Sequence, residues 1–267
     1  MPVSIAILLG IVEGLTEYLP VSSTGHLELA GHVLGLPDDA ATSSFEIVIQ
    51  LGAILAVVVH YRVLLTERLR GLFQKDPVSL RLAGALAIGF APAAVVGLLF
   101  RKIIKEHLFK PLPIAVALIV GGVVMIVVER VRASRRMHGE DGLERITPRR
   151  ALTIGLGQCI SLWPGSSRSM CTIVAGQLTG LSTATAAEFS FLLGIPTLGA
   201  ACLYEGLKSR HELAHDIGGA SMAVGLITSF FVAWAVVATF LRYLKSHGLS
   251  PFGWYRILLA IAVLKFM

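Results

Sequence analysis

The sequence predicts an all-α polytopic membrane protein, with six transmembrane helices plus two re-entrant helical hairpins in two inverted-topology repeats. Three observations carry that prediction. The 267-residue chain is 55% hydrophobic and only 15% charged, with a mean hydropathy of +0.76, beyond what a soluble domain of this length shows. Several of its apolar stretches approach or reach the roughly 20 residues needed to cross a bilayer. Two polar islands break the apolar sequence, each beside a proline.

Taken in order, residues 1–12 are apolar but too short to span. They lack a basic flank and a small-residue cleavage site, so they do not read as a cleavable signal. Spans are expected at 46–61, 82–100, 111–128, 186–204, 217–241 and 251–264. Residues 151–163 again fall short of a crossing. The short segments 1–12 and 151–163 each run into a Pro followed closely by Ser-Ser (Pro20, Ser22-Ser23; Pro164, Ser166-Ser167). Broken segments of this kind are tolerated in a membrane when buried in protein or lining a wet cavity, which is the setting of a re-entrant hairpin.

The chain also resembles itself. Residues 91–100 align on 232–241, 46–52 on 188–194, and 18–23 on 162–167, in the same order and at nearly constant offset. Two halves follow, about 1–138 and 147–267, joined by a basic segment over 130–150. Three crossings per half is an odd number, so the second half enters inverted. Such repeats place their site where the two broken elements meet.

Orientation follows from counting cations. The loops after spans one, three and five hold Arg62, Arg68, Arg70, Lys75, Arg81, Arg130, Arg132, Arg135, Arg136, Arg145, Arg149, Arg150, Arg242 and Lys245. The opposite loops hold Arg101, Lys102, Lys105, Lys110, Lys208, Arg210 and Lys265. The richer side should be cytoplasmic, with both termini outside. The net charge of +6 is therefore a topology signal, and no nucleic-acid partner is expected. Cys159, Cys171 and Cys202 read as packing residues without disulfide or metal spacing.

The first island, Glu13-Gly-Leu-Thr-Glu17-Tyr-Leu-Pro-Val-Ser22-Ser23-Thr24-Gly25-His26, carries most of the chemistry. Ionisable groups at membrane depth are expensive and default to function. Glu13 and Glu17 share a helix face one turn apart. Two carboxylates so placed repel unless a cation lies between them or one stays protonated. Their hard oxygens suit Mg²⁺ or Ca²⁺, completed by water and phosphate oxygens. Pro20 ends the helix, and Ser22, Ser23, Thr24 and Gly25 form a turn and N-cap whose N–H groups can cradle an anion. His26 supplies an acid–base group near neutral pH. His32 and His60 lack polar company and read as structural.

The second island, Trp163-Pro-Gly-Ser166-Ser167-Arg168-Ser169, adds a fixed cation among hydroxyls, with no nearby acid in sequence to neutralise it. Guanidinium binds phosphate oxygens through a planar fork. Glu46 and Glu188 occupy equivalent positions in the two halves, either supporting the site or capping helix ends. Together the parts describe phosphoryl transfer to water on an amphiphilic substrate. Ser23 attacking with His26 as base, direct attack by His26, and attack by metal-bound water with Glu17 as base all fit; the adjacent hydroxyl and imidazole favour the first.

The stretch 13–26, the Pro164-Gly-Ser-Ser-Arg-Ser169 segment, Phe45-Glu46, Gln50-Leu-Gly52 and 188–193 resemble the undecaprenyl-diphosphate phosphatases of the bacitracin-resistance type, essentially from end to end. The resemblance implies hydrolysis of undecaprenyl diphosphate to the monophosphate and inorganic phosphate, which recycles the lipid carrier for peptidoglycan synthesis. It implies a divalent-cation requirement and a bacterial inner-membrane enzyme whose site opens to the periplasmic or extracellular face. It also implies metal or proton handling by Glu13 and Glu17, catalysis by Ser23 and His26, and diphosphate binding by Arg168; Ser166, Ser167 and Ser169 beside that arginine offer the anion further donors on the reading of the residues themselves. Met170 departs from the family's usual Gly, which bears on local packing more than on chemistry. A polyprenyl-lipid flippase built on the same repeats is the competing reading, and homodimer formation is left open.

Overall fold

The computed structural model describes residues 1–37, 39–135 and 139–267. Arg136 and the side chains of Arg101 and Lys105, counted above for orientation, lie outside the described part. In chain order the helices are α1 Val3–Thr16, α2 Ser23–Val33, α3 Ala40–His60, α4 Arg62–Phe73, α5 Pro77–Leu108, α6 Pro111–Ser134, α7 Pro148–Ile160, α8 Arg168–Leu178, α9 Thr183–Lys208, α10 Arg210–Glu212, α11 Gly219–Leu244 and α12 Ser250–Phe266. Among the described residues there is no β-strand, only an isolated bridge between Glu140 and Leu181.

Local chemistry sets where these helices begin. Asp39, Asp76, Thr147 and Ser182 each accept a hydrogen bond from the backbone N–H three residues on, at Thr42, Ser79, Arg150 and Thr185. Pro77, Pro111, Pro148 and Pro251 sit in first turns, where a missing N–H costs nothing.

Five helices are long and apolar enough to cross a membrane: α3, α5 over residues 77–100, α6, α9 and α11. Each overlaps a predicted span, α5, α6 and α9 containing theirs whole and α3 and α11 missing one and two residues of theirs. The sixth expected span forms as α12, but its 17 residues rise only about 25 Å at 1.5 Å per residue. It lies along α6 instead of standing alone. The two segments judged too short to cross form helix–break–helix pairs, α1–α2 and α7–α8, whose members pack on each other.

Packing between the halves is reciprocal. Helix α1 lies on α11, and α7 lies on α5. Helix α2 touches α12, and α8 touches α6. Helices α3 and α9 pair, as do α6 and α12. Exchanging the first set of elements for the second leaves these pairings unchanged. The helix ends also sort into two groups. His60, Arg132, Ser182 and Arg242 line one cavity of about 950 Å³, while Thr42, Phe109, Pro111 and Met267 line another of about 230 Å³. Each group joins helix termini that the sequence assigns to the same side.

Close backbone approach seats α1. A Cβ added at Gly14 would lie 2.7 Å from the Ser229 carbonyl oxygen and 2.8 Å from Val232 Cβ, and one at Gly10 would lie 2.7 Å from the Gly225 carbonyl oxygen. Gly14→Ala is therefore expected to destabilise the detergent-purified protein by about 1–3 kcal/mol through overpacking. Thermal unfolding checks this, and an unchanged midpoint would mean that α1 and α11 part without cost. The three cysteines are free in this structure.

Candidate active site

Both breaks are built the same way. Ser22 takes φ +74°, caps α2 and accepts the Gly25 N–H at 3.2 Å. Ser167 takes φ +69°, caps α8 and accepts the Met170 N–H at 3.3 Å. Only Lys75 joins them as a non-glycine residue at positive φ among the described residues. Such backbone is strained by roughly 1–3 kcal/mol and gathers at functional sites. The matching caps differ by one residue from the sequence alignment, and the residues that follow them are Ser23 and Arg168.

Those two residues, each the first after its cap, meet on one carboxylate. Ser23 Oγ donates to Glu17 Oε2 at 2.7 Å, and Arg168 Nη2 donates to Glu17 Oε1 at 2.9 Å. Arg168 thus has its acid after all, delivered from the other half of the chain. Its Nη1 donates to the Ser190 carbonyl at 2.9 Å, and its guanidinium carbon stands 5.3 Å from the centre of the Tyr18 ring. Gly194 makes the room: a Cβ there would lie 2.9 Å from Arg168 Nη2. Ser169 Oγ donates to the Leu19 carbonyl at 2.9 Å, tying the second turn to the first. Glu17 and Arg168 are both buried, which strengthens every charge interaction between them.

Glu13, one turn before Glu17, is fully buried. Neither of its carboxylate oxygens has a hydrogen-bond partner among the described residues, so both are left to accept. Arg168 Nε is likewise buried without a partner. Among the described residues no group of three or more His, Cys, Asp and Glu side chains forms a metal cluster.

His26 is arranged differently from the expectation that it activates Ser23. Its Nδ1 lies 2.7 Å from the Ser22 carbonyl oxygen, and its Nε2 lies 2.7 Å from Tyr255 Oη. A carbonyl only accepts, so Nδ1 carries the hydrogen and Nε2 of the neutral ring accepts from the tyrosine. The two rings stack at 5.6 Å with planes 7° apart. The hydroxyls of Ser22 and Ser167 serve as caps, and that of Ser169 serves the Leu19 carbonyl. Of the groups expected to hold an anion, that leaves the backbone N–H groups, Thr24, Ser166 and Arg168. Met170, the one departure in the motif, keeps the cap bond of its turn.

Glu46 and Glu188 line the 230 Å³ and 950 Å³ cavities respectively, joined there by His32 in the first and His60 in the second. They occupy matching places at opposite ends of the bundle. Two residues escaped the sequence reading, Tyr255 and Arg256. A lone arginine within an apolar span is itself a functional signal, and Arg256 stands inside the expected span 251–264.

Fold and site together define a multi-pass helical membrane protein with a buried carboxylate–hydroxyl–guanidinium centre between two broken helix pairs. The family model of the bacitracin resistance protein BacA matches residues 6–262, and the chain belongs to that family. It is 60% identical over 260 residues to an undecaprenyl-diphosphatase of Sorangium cellulosum, covering 97% of this chain and 84% of that protein. Undecaprenyl-diphosphatase 2 of Rhodospirillum rubrum is 49% identical over 259 residues, covering 97% and 93%. An undecaprenyl-diphosphatase of Thermoanaerobacter pseudethanolicus is 47% identical over 262 residues, covering 98% and 95%.

Proposed function

We propose that this protein hydrolyses undecaprenyl diphosphate to undecaprenyl phosphate and inorganic phosphate, returning the carrier to peptidoglycan synthesis and giving bacitracin resistance. The observation that carries the mechanism is the Glu17 carboxylate, bonded at once to Ser23 and Arg168. Ser23 Oγ bonds to the terminal phosphorus as its proton passes to Glu17. The bridging P–O bond breaks, and its electron pair leaves on undecaprenyl phosphate. Water then attacks the phosphoserine, Glu17 returns its proton to Ser23, and phosphate departs. The forward N–H groups of α2 and α8, with Arg168, hold the equatorial oxygens where charge accumulates. His26 stands at the rim with Nε2 as its exchangeable position, covered by Tyr255 in this state.

A divalent cation fits the donor set. Glu13 offers two unengaged oxygens, and Mg²⁺ is held by one or two carboxylates with substrate phosphates completing its shell. Glu13 would hold Mg²⁺ or Ca²⁺ beside Glu17, supplying charge neutralisation for the diphosphate. The reciprocal helix packing and the paired caps support two inverted repeats, about 1–138 and 147–267. They also support six crossings, counting α12, and two re-entrant hairpins. The cation-rich end is then cytoplasmic in the bacterial inner membrane, and α2, which carries His26, reaches the smaller cavity at the periplasmic end.

The test is phosphate release from undecaprenyl diphosphate by the detergent-purified full chain. Release is expected, with loss on chelation and recovery on adding Mg²⁺ or Ca²⁺. Release indifferent to chelator would remove the cation. The matched cavities at opposite ends favour one second reading, a polyprenyl-lipid flippase. Lipid movement across vesicles by a chain that releases no phosphate would put it first.

A further inference from the structure

Arg256 is the largest fully buried side chain among the described residues, and it lies among backbone carbonyls. Its Nη1 donates to the Ser166 carbonyl at 2.9 Å and to that of Pro20 at 3.3 Å. Its Nη2 donates to the Gly165 carbonyl at 2.8 Å and to that of Ala117 at 3.1 Å. Its Nε reaches the Leu118 carbonyl at 3.4 Å. Among the described residues no carboxylate pairs with it in an ion pair.

Burying a cation is costly, and apolar residues of similar volume commonly replace buried charges without loss of stability. The five acceptors therefore point to geometry. Pro20 belongs to the break before Ser22, Gly165 and Ser166 belong to the break before Ser167, and Ala117 and Leu118 belong to α6. Prolines and turns leave carbonyls without helical partners, and buried ones must be satisfied. One planar fork on α12 satisfies a carbonyl in each break and fixes both to the same wall.

We infer that Arg256 is a positioning residue of the phosphatase site. It locks the two turns in the register that brings Ser23 and Arg168 onto Glu17, without touching the substrate itself. The inference rests on the reading that both turns form one phosphoryl-transfer site. Lysine cannot replace it, because a single ammonium has no fork to span two turns and α6. Gly121 offers a second lever: a Cβ there would collide with Arg256 Nη2, lie 2.8 Å from its central carbon and lie 2.8 Å from Met170 Cε, the flexible end of a side chain that can give way more cheaply than the guanidinium held by five carbonyls. Gly121→Ala thus crowds the guanidinium while leaving its charge in place.

The experiment compares kcat and KM for undecaprenyl diphosphate in wild type, Arg256→Lys, Arg256→Met, Gly121→Ala and the control Gly84→Ala, where a Cβ meets nothing within 4 Å. Folded fraction is measured alongside by size exclusion and thermal unfolding, and rates are expressed per folded molecule. Misplacement of reacting groups by about 1 Å costs on the order of 100-fold in rate. Arg256→Lys and Arg256→Met are expected to lose about that much in kcat with KM moved by less than about threefold. Gly121→Ala should fall in the same direction, with Gly84→Ala unchanged. Wild-type kcat in the folded Arg256→Lys and Arg256→Met proteins would overturn the inference. So would a loss confined to KM, which would make Arg256 a binding residue. Absence of phosphate release from wild type would instead defeat the phosphatase reading, so the two failures stay distinct.

Discussion

Glu17→Gln is expected to lower kcat by about 10²–10⁴-fold, the range for removing a general base, and to destabilise the protein at the same time. The amide still accepts from Ser23 or Arg168, but it takes no proton and offers Arg168 no counter-charge. Arg168 is buried and its Nη2 has Glu17 as ion-pair partner; breaking a buried pair from one side costs about 3–5 kcal/mol. Arg168→Gln leaves the opposite charge stranded and should cost a similar amount. The double variant Glu17→Gln/Arg168→Gln removes both charges together. It should recover most of the lost stability while remaining inactive. Thermal unfolding with phosphate release on all four proteins checks this, because the double variant separates folding from catalysis. Recovery of activity along with stability would show that Glu17 only holds Arg168 and takes no proton.

That coupling also shows where sequence reasoning reached its limit. The spans were legible because hydrophobic length is a local property: residues 82–100 and 111–128 lie inside α5 and α6, and 217–241 forms all but two residues of its length within α11. Glu13 and Glu17 were legible as a pair because helical spacing puts four-residue neighbours on one face. The partner of Arg168 was not legible. It comes from 151 residues away, and only the interlocking of two halves brings it there. Local adjacency misled at His26. Ser23 and His26 are neighbours in the first turn of α2, yet the ring folds back onto the Ser22 carbonyl and stacks on Tyr255. The sequence alignment sets Ser22 beside Ser166, whereas the strained N-caps that resemble each other are Ser22 and Ser167, one residue away. Arg256 shows the converse failure. It was visible in the sequence as one charge in an apolar span, and its meaning lies in carbonyls from three other segments.

The order of effects at Ser23 and His26 decides the route of attack. With Glu17 receiving the Ser23 proton, Ser23→Ala removes the attacking oxygen and should abolish phosphate release. His26→Ala removes a rim acid–base group and should leave a slower enzyme, reduced by about 10²–10⁴-fold and still able to form a phosphoserine. Rapid quench with substrate labelled in its terminal phosphate should trap that intermediate in the His26 variant and not in the Ser23 variant, and peptide mapping should place it at residue 23. The opposite order, with Ser23→Ala retaining turnover and His26→Ala losing all of it, would move the attack to the imidazole or to water. The structure favours the first order on a simple ground. The Ser23 hydroxyl has a carboxylate acceptor at 2.7 Å, whereas both ring nitrogens of His26 are engaged elsewhere, one by the Ser22 carbonyl and one by Tyr255. For the imidazole to attack, the ring would first have to release the tyrosine. For the serine to attack, no bond in the site has to break before the proton moves.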